Sequence, residues 1–279
     1  MADLRLSEIW IYPIKGLGGI RVQEAKVMEK GLEFDRRMML VDGSNQFLTQ
    51  RDDKRFPLFR PRVMDGRVSV TYDSETLFID NGSIGEKIET MVWDDHVSVY
   101  EVNKEYSKWF SKHLGFECKL AAFPESSPRP VDPTRSINNE NVSLADGYPF
   151  LILGQSSLDF LNAKLDSPLP INRFRPNLVF TGGVPHEEDS WREFTIGSNR
   201  FIGIKPCARC VVTTINQETA EKGVEPLKTF ATYRKMDHEV YLGQNVVAVD
   251  YRKIREGDLI SVSSILENDI AKELSKNLK

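Results

Sequence analysis

Cys207 and Cys210 stand three positions apart in the run Gly203-Ile204-Lys205-Pro206-Cys207-Ala208-Arg209-Cys210. A thiolate is a soft metal ligand and a nucleophile, and nearby positive charge favours it over the thiol. Lys205 and Arg209 place that charge beside the pair. Several chemistries use two such cysteines. A structural zinc takes four Cys or His ligands, often as two close pairs. Here the third cysteine is the distant Cys118, and His96, His113, His186 and His238 have no paired spacing. A thioredoxin-like redox pair opens a helix in a βαβ setting, whereas this pair lies between β-rich runs at 200–204 and 211–214. Two buried, inert cysteines are the plain alternative, since free Cys is among the most buried residue types. The flanking cations weigh against it.

Other cations recur where strands should end or turns begin. Lys15 follows an apolar run, Arg36 and Arg37 follow Asp35, and Arg51 follows Thr49-Gln50. Arg173 and Arg175 flank Phe174 ahead of Pro176-Asn177, and Arg209 sits inside the cysteine motif. Taken singly, each reads as a solvated surface charge. Pro176 should push Arg175 toward an extended backbone. As a set they read differently, because Arg forks suit phosphate and planar polar groups. Anion-binding side chains beside a soft cysteine fit a metal carried on a phosphorylated organic scaffold.

The elements that must position these residues are mostly strands. Residues 9–14, 37–41, 67–72, 76–80 and 97–102 are short apolar or alternating runs with turn signals such as Asp42-Gly43-Ser44-Asn45 between them. Such spacing predicts a barrel or sandwich. A helix is expected over 103–114, with Trp109, Phe110 and His113 on one face. The Pro- and Ser-rich stretch 123–133 reads as a linker or an ordered loop and marks a domain boundary. Beyond it, strands are expected at 148–154, 177–180, 200–205, 211–214, 245–249 and 259–262, with a short helix over 157–165. The tail 266–279 is helix-prone and highly charged.

Composition narrows the function classes. The 279 residues carry 37 Lys and Arg against 41 Asp and Glu, a formal charge of −4, with 40% hydrophobic residues. That balance points to no nucleic acid and no anionic membrane surface as partner. No apolar stretch approaches the ~18 residues of a membrane span, and no secretory signal is visible. Three cysteines fit a reducing compartment, the cytoplasm by default.

The motifs resemble those of the MOSC proteins, named after the C-terminal domain of molybdenum cofactor sulfurase. They are similar above all to the branch with an N-terminal β-barrel domain, which includes the mitochondrial amidoxime reducing component and bacterial reductases of N-hydroxylated bases. The resemblance rests on Tyr12-Pro13-Ile14-Lys15-Gly16, Asp35-Arg36, Thr49-Gln50-Arg51 and Asp146-Gly147-Tyr148-Pro149-Phe150-Leu151-Ile152-Leu153. It continues through Arg173-Phe174-Arg175-Pro176-Asn177, Asp189-Ser190-Trp191, the Cys207–Thr214 segment, Glu225-Pro226-Leu227 and Tyr233-Arg234. Any one tripeptide is weak, but their joint order covers most of the chain.

The resemblance implies a β-rich α+β fold: an N-terminal β-barrel-like domain (1–122) packed on a MOSC β-barrel domain with a few helices (123–265), then a helical tail (266–279). It implies a molybdenum cofactor, Mo-molybdopterin, with Cys210 as metal ligand and catalytic residue. Lys15, Arg36, Arg51, Arg175, Asn177 and Arg209 would bind the cofactor, and Cys207 would be structural or lie behind the ligand. The activity implied is reduction of small N-hydroxylated substrates. Bacterial relatives with a complete reductase often add a ferredoxin-like domain. Three cysteines cannot build the usual iron–sulfur shell, and no Gly-x-Gly-x-x-Gly turn cradles a dinucleotide. Electrons are therefore expected from a separate ferredoxin-type or flavoprotein partner. The mitochondrial members' targeting and anchor segment has no counterpart here. The alternative is a cofactor carrier or sulfur-transfer module. No Schiff-base lysine context is evident, and the chain has no room for a full pyridoxal-phosphate domain.

Overall fold

The computed structural model describes residues 3–80, 85–265 and 273. The expected C-terminal helix lies outside the described residues, apart from Glu273. Strands dominate, with three α-helices among the described residues, giving a β-rich α+β fold.

The largest sheet runs in the order Ile260–Ile265, Trp191–Ile196, Asn199–Arg209, Glu239–Ala248, Phe150–Gly154, Leu178–Thr181, Arg5–Ile11, Ile20–Val22. Its two ends meet. Leu6 N donates to Asp258 O and Ile260 N to Leu4 O, both at 2.9 Å, beside an antiparallel Arg5–Leu259 bridge. Closing a sheet on itself removes its exposed edges. The pair Phe150–Gly154 and Leu178–Thr181 is parallel, so it needs a crossover, which includes the helix Gln155–Asn162. Phe150, Ile152, Leu178 and Phe180 sit in one core with Trp191, Phe194 and Phe201. Gly203 lets that core close. A Cβ there would stand 1.9 Å from Trp191 O, so any side chain would push apart the strand that leads to the cysteines.

Three smaller sheets complete the described strands: a four-stranded one (Met38–Asp42, Cys118–Ala122, Asp95–Glu101, Lys87–Val92), a three-stranded one (Arg60–Met64, Arg67–Tyr72, Glu75–Ile79), and a second three-stranded one that pairs Lys253–Arg255 with Glu24–Met28 and Gly31–Leu32. The expected helix is present as Lys104–Leu114. Asn103 caps its start through Glu105 N at 2.8 Å, and Gly115 ends it in the left-handed region. Its Phe110 and Leu114 pack with Phe56, Phe59 and Leu120. Cys118 is buried in that same core. Burial pushes its thiol up to about 11, so it is the inert cysteine.

Two local expectations are overturned. Residues 211–214 are not a strand but the 3₁₀ turn Val211–Thr214. β-Branched composition favours a strand, but two hydroxyls bond back into the turn. Thr213 Oγ1 donates to Cys210 O at 2.9 Å and Thr214 Oγ1 to Val211 O at 2.8 Å. Such side-chain bonds compete with a sheet ladder. Arg175 is not extended either. It caps the 3₁₀ turn Ile171–Phe174 at φ 54°, ψ 44°, in the left-handed region. Its N–H closes the turn on Asn172 O at 3.1 Å, and its guanidinium lies over the Tyr12 ring, 4.2 Å from the centroid. These contacts override the local preference of a residue before proline.

The stretch 123–133 is an ordered loop. Arg129, 1% exposed, donates to Ser143 O and Ala145 O at 2.5 Å, to Asp146 O at 3.0 Å and to Asp95 Oδ2 at 2.9 Å. One buried guanidinium thus fixes the chain entering the strand Phe150–Gly154.

Candidate active site

A cleft of about 820 Å³, counting the solvent at its mouth, opens where the first half meets the cysteine segment. All seven residues that the resemblance assigns to the site line it: Lys15, Arg36, Arg51, Arg175, Asn177, Arg209 and Cys210; Arg37 and Arg173, from the wider cation set, do not. Cys207 lines it as well.

Different elements deliver them. Lys15 follows the first strand, with its N–H tied to Met38 O at 2.7 Å. Arg36 sits at φ 50°, a left-handed conformation uncommon outside glycine and asparagine. Its Nη1 donates to the buried Asp35 at 2.7 Å and to Asn177 Oδ1 at 3.1 Å. Like Arg175, it lies over Tyr12, 4.3 Å from the ring centroid. The Tyr12 phenol donates to Pro176 O at 3.0 Å. One buried ring therefore supports two guanidiniums through cation–π attraction.

The strand Asn199–Arg209 carries Cys207 and Arg209, and Cys210 begins the following turn. Each of these half-buried thiols meets an arginine. Arg51 Nη2 is 2.9 Å from Cys210 Sγ, across 159 residues of sequence. Arg209 Nη1 is 3.1 Å from Cys207 Sγ, while its Nη2 donates to Phe174 O at 2.6 Å. The two sulfurs are thus held by different cations.

The charge of the cleft is lopsided. Five cations line it against one carboxylate, Asp146. Lys15 pairs with Asp146 and Arg36 with Asp35. Arg51, Arg175 and Arg209 have no carboxylate in ion-pair range among the described residues. Burial lowers Arg175 to about 10, with Arg36 adding to the effect. Burial also lowers Lys15, against the pull of Asp146. Arg209 Nε is buried with no hydrogen-bond partner. A buried donor without an acceptor is costly, and uncompensated cations in a cleft attract an anion.

Asn177 behaves differently. It is 2% exposed. Its Oδ1 accepts from Arg36 and from Leu151 N at 3.3 Å, and its Nδ2 donates to Trp10 O at 3.2 Å. Its amide is spent on holding Arg36 and two strands in place. Arg36 is similarly committed, and only Arg51 among the first-half cations reaches a cysteine.

Sequence reasoning passed over four residues of this region. Gln50 and Gln217 form a reciprocal amide pair (3.1 and 2.9 Å) that ties Gly16 and Arg175 to the loop after the cysteine turn. Trp93 lies under the Arg51 guanidinium at 4.6 Å. Asp146 stands in a quoted motif, but no spacing rule assigns it a role.

Two family models match the chain: the MOSC N-terminal beta barrel domain over residues 3–117 and the MOSC domain over 139–261. The mouse mitochondrial amidoxime-reducing component 1 is 29% identical over 244 residues, covering 83% of this chain and 72% of that protein. The human protein of the same name is 27% identical over 245 residues, with the same coverage. A rice molybdenum cofactor sulfurase is 26% identical over 289 residues, 92% of this chain but 34% of the sulfurase, so the chain spans about a third of that relative. With the barrel-domain match ahead of the MOSC match, and the expected cations and cysteine converging on one cleft, this chain belongs to the MOSC family.

Proposed function

We propose that the cleft binds Mo-molybdopterin and that the chain reduces N-hydroxylated compounds (amidoximes, hydroxylamines or N-hydroxylated bases) with electrons from a separate protein. The observation that carries this reading is the cation-rich cleft with a soft sulfur inside it. Among the described residues Arg51, Arg175 and Arg209 have no carboxylate in ion-pair range and Arg209 Nε has no acceptor; an anionic pterin would supply both negative charge and acceptors. The relatives named for amidoxime reduction give the substrate class.

When bound, the cofactor supplies the two-electron step that removes the substrate oxygen. The chain's own residues do the rest. Cys210 Sγ would ligate the metal, as soft thiolates do. Arg51 would orient that sulfur. Arg175 and Arg209 would hold the anionic part of the ligand through charge-assisted bonds. Tyr12, Asp35 and Asn177 keep Arg36 and Arg175 from moving. The donor would be a ferredoxin-type protein or a flavoprotein. No helix among the described residues is long and apolar enough to cross a membrane; we place the protein in the cytoplasm on its cysteine content.

A second reading, cofactor carriage or sulfur transfer, is favoured by the similarity to sulfurases over 92% of this chain. Turnover separates the two. Protein made in a cofactor-competent host should contain Mo and an oxidisable fluorescent pterin, and should reduce benzamidoxime with reduced viologen but not with NADH alone. Mo-loaded protein without turnover would favour the carrier.

The same preparation tests the cations. Arg175→Ala should lose cofactor on gel filtration by removing a charge-assisted contact of about 1.5–3 kcal/mol, and Lys15→Ala should lose it by leaving the Asp146 carboxylate unneutralised beside the anionic ligand. Full pterin occupancy in both variants would show that these cations serve the fold alone.

A further inference from the structure

Asp146 is the one carboxylate among the residues lining the cleft. Its two oxygens are in different situations. Oδ1 accepts from Lys15 Nζ at 2.5 Å and from Trp93 Nε1 at 3.2 Å. No hydrogen bond reaches Oδ2 among the described residues. The side chain is 67% exposed while its partner Lys15 is 6% exposed. The lysine is thus sunk in the wall, and the carboxylate looks into the cleft. Its main chain is fixed from behind, because the buried Arg129 binds the carbonyls of Ser143, Ala145 and Asp146. Protein packed around the cleft disfavours the charge, but Lys15 outweighs it and holds the carboxyl below its ordinary range.

A fixed anion in a cation-lined cleft is of no use to an anionic cofactor. It suits a substrate group that donates hydrogen bonds or carries positive charge. Reduction of an amidoxime breaks its N–O bond, consumes two electrons and two protons, and releases an amidine and water. The donor protein supplies the electrons and solvent the protons. Amidoximes are neutral, whereas amidines take up a further proton and are planar cations at neutral pH. Their paired N–H groups match a carboxylate as a guanidinium does.

We infer that Asp146 is a binding residue that receives the N–H groups of the amidine product on its free Oδ2, so that the site holds a cationic amidine more tightly than a neutral amide. This rests on the reductase reading above. The side chain of Trp93, 40% exposed and tied to the same carboxylate, stands next to the bound group.

Calorimetry on cofactor-loaded protein tests this with benzamidine and its neutral isostere benzamide. Wild type should bind benzamidine at least tenfold more tightly than benzamide, and Asp146→Asn should erase that preference while leaving benzamide unchanged. Mo content and melting temperature should be measured on the same samples, because the variant leaves Lys15 without its partner. If wild type shows no preference, the inference fails whatever the variant does. It fails equally if folded, Mo-loaded Asp146→Asn keeps the preference. Turnover of benzamidoxime with reduced viologen, run in parallel, judges the reductase reading separately: an Asp146-dependent benzamidine preference without turnover would keep the binding role and remove the reaction.

Discussion

Cys210→Ser is expected to lower viologen-driven reduction of benzamidoxime by more than the roughly 100-fold that loss of an outer-shell partner costs a metal site. It should also change the Mo coordination seen by X-ray absorption. Cys207→Ser should stay within about tenfold of wild type. The structure gives the reason for the asymmetry. Cys207 lies in the strand Asn199–Arg209 and faces Arg209, whose other nitrogen is anchored on Phe174 O. Cys210 lies past the strand end, where the chain turns and Arg51 reaches its sulfur from the first half of the molecule. A hydroxyl at 207 can still accept from Arg209. If Cys210 ligates the metal as proposed, a hydroxyl at 210 would put a hard, protonated group in place of a soft anionic ligand. Equal losses in the two variants, at equal melting temperature and pterin content, would remove the distinction.

Why one thiol and not the other was legible only in part. The pair and its flanking cations are visible in the chain, and so are the arginines at turn positions. Nothing in composition or periodicity says that Arg51 meets Cys210, because that contact joins segments far apart in sequence. The family resemblance grouped these residues; folding shows how. Local rules failed at two points that both border the cleft. The β-branched run after Cys210 became a turn because Thr213 and Thr214 bond back to the main chain. Arg175 took a left-handed conformation before proline because its guanidinium lies over Tyr12. Left-handed non-glycine residues cost of order 1–3 kcal/mol each and gather at functional sites, and Arg36 is a second example beside the first. Asp146 and Arg129 were illegible for another reason. A lone Asp, and a lone Arg in a Pro-rich loop, read as solvated, and only tertiary packing shows Arg129 buried and Asp146 at the wall of the cleft.

The sharpest test of the scaffold lies away from the cleft. Arg234 is fully buried and donates to Asp189 Oδ2 at 2.6 Å and to Tyr241 O at 2.9 Å. Glu188, next to Asp189, is buried too, and its carboxylate accepts from Gly154 N at 3.2 Å and Ser157 Oγ at 2.9 Å. Of these two buried neighbours, Asp189 carries the ion pair with Arg234, while Glu188 is held by the main chain and a hydroxyl at the end of the strand Phe150–Gly154 that helps line the site. Arg234→Met should destabilise the protein by about 3–5 kcal/mol, the usual result of stranding a buried charge. Adding Asp189→Asn should recover part of that loss. The dependence on pH has a definite sign. Burial already raises Asp189 despite Arg234, and burial together with Asp189 raises Glu188. A carboxyl whose folded pKa is raised binds a proton more readily folded than unfolded, so stability falls as pH rises from the ordinary carboxyl range through the raised value. Removing Arg234 raises Asp189 further and widens that window upward. The deficit of Arg234→Met relative to wild type should therefore shrink at acidic pH and grow toward neutrality, and in Arg234→Met/Asp189→Asn it should depend less on pH. Denaturant titrations at a series of pH values measure this directly, and a deficit independent of pH would mean that Arg234 acts by filling space rather than by its charge.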